Sequence, residues 1–196
     1  ADGVYFSSIT DKRYKKNLIS VAFSTQLSED TATENVIVPV LLTKCNSKLP
    51  TYKAFNIKMS RLYASGIGGT AGRQYDLQTI SFGAYYLDDI YALSGEKMTG
   101  IMTDILIDCL TSPVTENGVF SEKFVELEKK TVIDNIETAI NDKRSYAIER
   151  AMKTICKGEP ASVCSYGTVE KAKLITPDSA YKAYRRMLET MPCEII

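Results

Sequence analysis

The sequence contains no histidine among its 196 residues. Histidine is the commonest metal ligand in proteins and the usual general base near neutral pH. Its absence excludes metal sites built from imidazoles. A cysteine nucleophile would have to use a Lys or a carboxylate as its partner base. We therefore expect no enzymatic activity from this chain.

Cysteine is scarce and irregularly spaced. The five cysteines are odd in number, are scattered along the chain and form no C-x-x-C pair, which argues against both a disulfide framework and a zinc knuckle. We interpret them as reduced, mostly buried thiols of a cytoplasmic protein. They are Cys45, Cys109, Cys156, Cys164 and Cys193.

Net charge and long apolar runs are also missing. Lys plus Arg and Asp plus Glu both number 24, so the chain lacks the basic character that attracts nucleic acid or an anionic membrane. Apolar runs such as 36–42 are far shorter than the roughly 20 residues that span a bilayer. We predict a soluble, cytoplasmic protein without nucleic-acid or membrane partners. The first residues do not resemble a signal peptide, and export after removal of such a leader is the alternative.

The hydrophobic content of 44% is enough for a core, and the first half of the chain mixes strands with helices. Alternation predicts strands at 4–8 and 18–23, joined by a charged turn. Thr31 and Glu34 match a capping box, which predicts a helix from there to about Lys44 with a kink or early break at Pro39. A second helix is expected to start at the Thr51 cap and stop at Gly66.

The second half of the chain is mainly helical. Helical spacing predicts a core helix over 96–110 and a long charged helix over 124–157 that bends near 141–143. Thr176-Pro177 opens a further helix that buries Tyr181, Tyr184 and Leu188, and Cys193–Ile196 begins a strand. The long helix is expected to bury one apolar stripe, formed by Val125, Val132, Ile136, Ile140, Ala147 and Ala151.

The mixed order of strands and helices favours an α+β fold, with a largely antiparallel sheet packed against several helices. We expect residues 1–196 to form one domain, truncated from a longer chain. Between the first two helices and the strand at 80–86 lies a glycine-rich segment, 66–72. It lacks the Lys-Ser or Lys-Thr pair and the G-x-G-x-x-G pattern of nucleotide loops. A strand or a turn is the remaining interpretation.

Several loose motifs, taken in order, resemble the insulinase and pitrilysin-type peptidases, also called inverzincins. They are the long-helix segment 120–136, the closing-helix segments 141–147 and 175–181, and the glycine-containing turn at 62–66. The similarity is greatest to a degenerate bacterial branch that is encoded beside an active-looking homologue. The resemblance implies the family's N-terminal half-domain, similar to those of the processing peptidases.

The resemblance also shows what this chain has lost. In active members an H-x-x-E-H helix supplies two zinc ligands and a general base, and a Glu on the long helix completes the site. Aligned through Lys44-Cys45, that motif falls on Val36-Ile37-Val38-Pro39-Val40, which has no imidazole and carries a proline in place of the base. Asn135 stands at the metal-binding Glu position, and Glu128 matches another family glutamate. The resemblance thus implies that these positions are remnants of a zinc site and that the chain binds no metal and no cofactor.

Paired acids are a separate candidate source of chemistry. Asp88-Asp89 and the series Glu122, Glu126 and Glu128 are spaced as on loops or helix faces. Such groups are usually solvated. We expect no acid pair to be catalytic.

The resemblance implies a non-catalytic subunit or half-domain that pairs with a homologous insulinase-like partner as a heterodimer, helps to form a closed chamber and binds peptide. Two alternatives stay open. The chain is either the inert N-terminal half of a longer zinc peptidase, or a free-standing peptide-binding or scaffold protein.

Family members bind substrate as an added strand on an edge strand near the metal. The matching region here is 68–75, and a plain glycine-rich turn is the alternative. The candidate peptide-binding residues are Gly68, Gly69, Thr70, Ala71, Gly72 and Arg73.

Overall fold

A five-stranded sheet organises the fold in the computed structural model, which describes residues 3–196. The strand order is β1-β5-β2-β4-β3. Every pairing is antiparallel except that of β1 with β5. This confirms the predicted α+β class with a largely antiparallel sheet. The strands are β1 (Val4–Phe6), β2 (Lys16–Gln26), β3 (Gly66–Gln74), β4 (Leu77–Leu87) and β5 (Cys193–Ile195).

The helices cover one face of the sheet. Alternate residues of β4 from Gln78 to Tyr86 are buried against them, whereas Leu77 and Tyr85 on the other face are exposed. The alternation predicted for 80–86 is thus confirmed, because a strand sends successive side chains to opposite faces. The helices are α1 (Ala32–Leu42), α2 (Tyr52–Arg61), α3 (Met98–Thr111), α4 (Glu122–Thr138), α5 (Lys143–Ile155), α6 (Val169–Lys173) and α7 (Pro177–Thr190).

Helix α1 departs from its predicted ends. The Thr31 side chain makes no capping hydrogen bond, so the predicted capping box is wrong, and the Glu34 carboxylate instead lies 3.4 Å from the Arg186 guanidinium. The break predicted at Pro39 is also wrong. The helix continues through the proline to Leu42, because Pro39 is buried by packing that outweighs one missing backbone donor.

Helix α2 begins as predicted and ends differently. The Thr51 hydroxyl accepts a hydrogen bond from the Ala54 N–H at 3.1 Å. Gly66 is not the stop: the chain leaves the helix through Tyr63 and Ala64, whose φ angles are 57° and 55°. The strain of this left-handed backbone is offset at Tyr63, whose hydroxyl donates to Glu96 and accepts from the Leu93 N–H, both at 2.8 Å.

The long charged helix is interrupted where the bend is predicted, at the non-helical Asp142. Helix α4 passes through a 3-10 turn at Ala139–Asn141 into α5. The predicted stripe is only partly correct: Val125 and Val132 are buried and Ile136 is half-buried. Ile140, Ala147 and Ala151 are exposed, because α5 lies away from the core and buries no residue.

The remaining elements follow the prediction closely. Thr176 caps α7, Tyr184 is buried, and Tyr181 and Leu188 are partly buried. The five cysteines are free thiols, three of them buried.

The two predicted N-terminal strands do not pair with each other, since β5 lies between β1 and β2. Within residues 3–196 there is no helix that is both long enough and apolar enough to cross a membrane.

Candidate functional site: the aligned motif positions beside an edge strand

Helix α1 carries the aligned motif positions and presents hydrocarbon where zinc ligands would stand. Val36 and Val40 are half-buried one turn apart, and Pro39 is fully buried. None of these side chains has a lone pair to offer a cation. Asn135 is exposed on α4, and a neutral amide is a poor ligand for zinc. These residues do not fit a zinc ion.

An ion pair lies close to the aligned motif positions. The Lys44 ammonium lies 2.6 Å from each carboxylate oxygen of Glu128. Glu128 is 1% exposed and Lys44 33% exposed, so the carboxylate is buried while the ammonium reaches the surface. The prediction that Glu128 would be solvated was therefore wrong.

This ion pair links α1 and α4, the two helices that carry the aligned motif positions. Lys44 lies just beyond the end of α1, and Glu128 lies in the middle of α4. A buried carboxylate is strongly unfavourable without a positive partner. Lys44 thus supplies from the protein itself the positive charge that Glu128 requires. Within the described residues no group of three or more Cys, Asp or Glu is placed to hold a metal ion.

Two thiols near the core are kept protonated by their surroundings. Burial, with a smaller contribution from the Glu128 carboxylate, raises the pKa of Cys45. Burial raises the pKa of Cys109 to about 11. A nucleophilic cysteine needs a lowered pKa, so neither thiol is activated.

The candidate peptide-binding residues lie on β3, which forms one edge of the sheet. The glycine-rich segment is therefore a strand, and its interpretation as a plain turn is wrong. A connection of two residues joins Gln74 to Leu77, so these two residues exchange both hydrogen bonds. The direction of backbone hydrogen bonding alternates from one residue to the next along a strand. The backbone N–H and C=O groups of Ile67, Gly69 and Ala71 therefore point away from β4. Those of Ile67 and Gly69 face the free edge, whereas Ala71 is only 4% exposed and its groups are covered.

Close helix packing supports this edge strand. A Cβ atom at Gly69 would lie 2.8 Å from the Pro39 Cβ and 3.0 Å from the Thr43 Cγ2, whereas one at Gly68 would meet nothing within 4 Å. Gly69 is therefore required for α1 to approach β3. The vestigial motif and the free edge lie side by side.

Arg73 closes the other end of the free edge. Its guanidinium donates to the carbonyl oxygens of Ala161, at 2.6 Å, and of Val163, and it lies 3.3 Å from the Glu149 carboxylate. These contacts tie α5 and the segment after it to the end of β3. Of the six candidate residues, Arg73 is thus held by side-chain contacts within the chain.

A buried polar cluster behind the site was not predicted. The Asn35 amide donates to the Gln78 side-chain oxygen at 2.8 Å, and the Gln78 amide donates to the carbonyls of Ala32 and Ser165 at 2.9 and 2.7 Å. Arg186 donates to Asn35 at 3.0 Å. The only sequence signal was a polar Gln78 in phase with the buried residues of β4.

Comparison with known proteins identifies relatives of this chain and structures that share its fold. No protein-family profile matches the chain. "Probable inactive metalloprotease YmfF" of Bacillus subtilis is 21% identical over 180 residues, which cover 91% of this chain and 42% of that protein.

Solved structures share the fold. A conserved protein from Enterococcus faecalis matches with a TM-score of 0.89 at 22% identity, over 98% of this chain and 45% of that one. An inactive M16 peptidase domain from Pseudomonas fluorescens matches with a TM-score of 0.63 at 12% identity, over 91% and 40% of the two chains.

The chain spans less than half the length of each of these relatives. The resemblance found in the sequence is confirmed by the curated relative and by the shared fold. The chain is thus similar to degenerate, insulinase-like metallopeptidases in sequence and fold, and it contains no histidine to supply their zinc-ligand set.

Proposed function

We propose that this chain is a non-catalytic insulinase-like domain that binds extended peptide along the free edge of β3. The observation that carries the proposal is the outward-facing backbone of Ile67 and Gly69, next to a helix whose aligned motif positions carry no metal-ligating side chain. Backbone pairing needs no catalytic side chain. An added strand would run from Ile67 towards Arg73, where the segment tied down by Arg73 ends the open edge.

The proposal also assigns the domain a partner. Relatives are more than twice as long as the part that this chain matches, so we propose that a second insulinase-like unit completes a peptide-holding chamber with it. We assign that unit to a histidine-containing homologue in a separate chain; the length of the relatives fits a second unit in the same chain equally well. Mixing the two purified proteins and measuring mass by sedimentation should give a one-to-one heterodimer, and two independent species would contradict the pairing.

Peptide binding is tested with a labelled peptide that matches the nine residues of β3 in length. Fluorescence anisotropy measures its affinity in three forms: unmodified, and N-methylated at either of the two alternating sets of residues. One set faces β3 and the other faces solvent, because strand hydrogen bonds alternate. Each lost hydrogen bond removes about 0.5–1.5 kcal/mol, so one methylated form should bind at least about tenfold more weakly.

The second methylated peptide is the matched control and should bind like the unmodified one. Equal effects of the two patterns, or no binding by the unmodified peptide, would refute edge pairing. On the protein side, Ile67→Pro removes one outward donor at a half-buried position and should weaken binding. A circular-dichroism melt checks that this variant still folds.

The alternative is an inert half within one longer polypeptide. It predicts the same fold and the same edge strand, and it differs only in where the histidines are encoded. An H-x-x-E-H motif downstream in the same reading frame would favour it over a separate partner. A free-standing scaffold would instead show no heterodimer and no such motif.

A further inference from the structure

Helix α5 contributes no buried residue to the core. It is held to the rest of the domain from one side. The Glu149 carboxylate lies 3.3 Å from the Arg73 guanidinium, and Met152 and Cys156 are half-buried. The helix is therefore fixed in place, while its other sides are open to solvent.

Apolar side chains form a stripe along an open side of α5. They share the three- and four-residue spacing that places side chains on one helix face, and they are Ala147, Ile148, Ala151 and Ile155. All of them are exposed, with exposed fractions of 55% at Ile148 and 79% at Ile155. Ile140, just before the helix, is 46% exposed. Contiguous exposed apolar side chains mark an interaction surface, whereas isolated ones need no explanation.

Basic side chains dominate the polar part of the same helix. Between positions 143 and 157 there is one acidic residue, Glu149, and there are five basic residues: Lys143, Arg144, Arg150, Lys153 and Lys157. Within residues 3–196, none of these five forms an ion pair. The zero net charge of the whole chain, from which we expect no membrane partner, thus conceals a local excess of positive charge.

The positive charges lie mainly on one side of the helix. Lys143, Arg150 and Lys157 recur every seventh residue, which is close to two helical turns and aligns them in a second stripe. Arg144 is the exception, because its position falls within the apolar stripe. Its long apolar stem can lie along that stripe while the guanidinium reaches a polar surface.

The two stripes together fit an anionic lipid surface. Positive charge alone would serve to bind nucleic acid, whose phosphates dominate its recognition, and would leave the aliphatic stripe unexplained. A helix with one apolar face and a basic polar face lies in the plane of a bilayer surface, where anionic headgroups attract the Lys and Arg side chains. Charge complementarity and the exposed aliphatic stripe therefore favour the same occupant.

We propose that α5 docks on anionic lipid headgroups, with Ile148 and Ile155 at the level of the first acyl carbons and the basic side chains against the phosphates. The contact is peripheral, because no helix within residues 3–196 is long and apolar enough to cross a membrane. It does not depend on peptide pairing at β3, so either activity can fail without the other.

Sedimentation of the purified chain with lipid vesicles tests the contact. One set of vesicles is pure phosphatidylcholine, and the other contains about one-third phosphatidylglycerol, an anionic lipid. The chain should bind to the anionic vesicles only. Binding should weaken strongly in about 1 M salt, where the Debye length falls to about 3 Å.

A charge-removing variant assigns the binding to α5. Arg150→Gln/Lys153→Gln should weaken vesicle binding about 25-fold, since each basic residue near the surface contributes a factor of about five. The matched control, Lys53→Gln/Lys58→Gln, removes the same charge from exposed positions of α2. It should leave binding nearly unchanged.

A second variant tests the apolar stripe. Ile148→Ser/Ile155→Ser should weaken binding at least about tenfold, because two aliphatic side chains no longer leave water. Its control, Ile9→Ser/Ile90→Ser, replaces two isoleucines outside α5 that are each 86% exposed, and should have no effect. Circular-dichroism melts check that all four variants fold.

The proposal is overturned if the chain binds neither kind of vesicle, if it binds both equally, or if the α5 variants lose no more binding than their controls. An effect of the charge variant without an effect of the isoleucine variant would contradict insertion of Ile148 and Ile155. Binding of a labelled poly-glutamate peptide without binding of vesicles would also overturn the proposal, and would assign the two stripes to an acidic protein partner.

Discussion

Lys44 and Glu128 lie 84 positions apart in the sequence, and the ammonium contacts both oxygens of the carboxylate at 2.6 Å. The pair holds the end of α1 against the middle of α4. In active relatives, by resemblance, this is the neighbourhood of a metal ion. Here the positive charge belongs to a side chain.

Replacement of Lys44 should be costly. Lys44→Met leaves a carboxylate that is 1% exposed without a partner, and loss of one member of a buried ion pair typically costs about 3–5 kcal/mol. Urea denaturation measures this as a fall in the free energy of unfolding. The double variant Lys44→Met/Glu128→Leu should recover most of the loss, because no uncompensated charge remains.

The matched control for this prediction is Lys48→Met. Lys48 also forms an ion pair, 2.8 Å from Asp108, but its side chain is 70% exposed. Solvent screens such pairs, so the urea midpoint should hardly move. Equal effects at Lys44 and Lys48 would show that the buried pair has no special role.

Adjacent glycines in β3 should respond differently to a methyl group. Gly69→Ala places a Cβ 2.8 Å from Pro39, so α1 must move, and overpacking of this kind costs about 1–3 kcal/mol. Gly68→Ala meets open space and should be neutral or slightly stabilising, because it reduces the entropy of the unfolded chain. Thermal melts of the two variants measure the difference. Equal melting temperatures would contradict the close approach of α1 to β3.

Stability should fall in alkali because of Cys109. Burial raises the pKa of its thiol from 9.0 to about 11. Between these values the unfolded chain loses the proton while the native state keeps it, so the free energy of unfolding decreases with pH, by at most about 1.4 kcal/mol per unit. The stabilisation lost over this range is fully present below pH 9, where the thiol is protonated in both the native and the unfolded chain. Urea midpoints measured from pH 8 to 11 test it.

Cys109→Ala is the control for the alkaline effect. The variant loses stability at every pH because it leaves a cavity, but its pH dependence over this window should be shallower than that of the parent protein. An unchanged slope would show that other groups cause the alkaline decline.

The elements predicted correctly are those determined by local pattern. The alternation of Ile80, Phe82, Ala84 and Tyr86 and the Thr51 cap each depend on neighbours within a few residues. The interruption after α4 also depends on residues close in sequence. These signals also sufficed for the fold class.

The errors arose where tertiary contacts outweighed local preference. The left-handed Tyr63 is stabilised by hydrogen bonds to residues about 30 positions away, and no local signal distinguishes it from Gly66. The apolar Ile140 matched the helical stripe but faces solvent, because no element covers α5. The Lys44–Glu128 pair likewise had no signal in a single sequence, since nothing local links residues so far apart.

Zinc binding tests the central claim most directly. The purified chain is incubated with excess zinc, passed through a desalting column and analysed by plasma mass spectrometry, with a histidine-containing insulinase-like homologue as positive control. Val36, Pro39 and Val40 offer no donor atoms, so we expect substoichiometric zinc in this chain and about one ion in the homologue. One tightly bound zinc ion per chain would contradict the account.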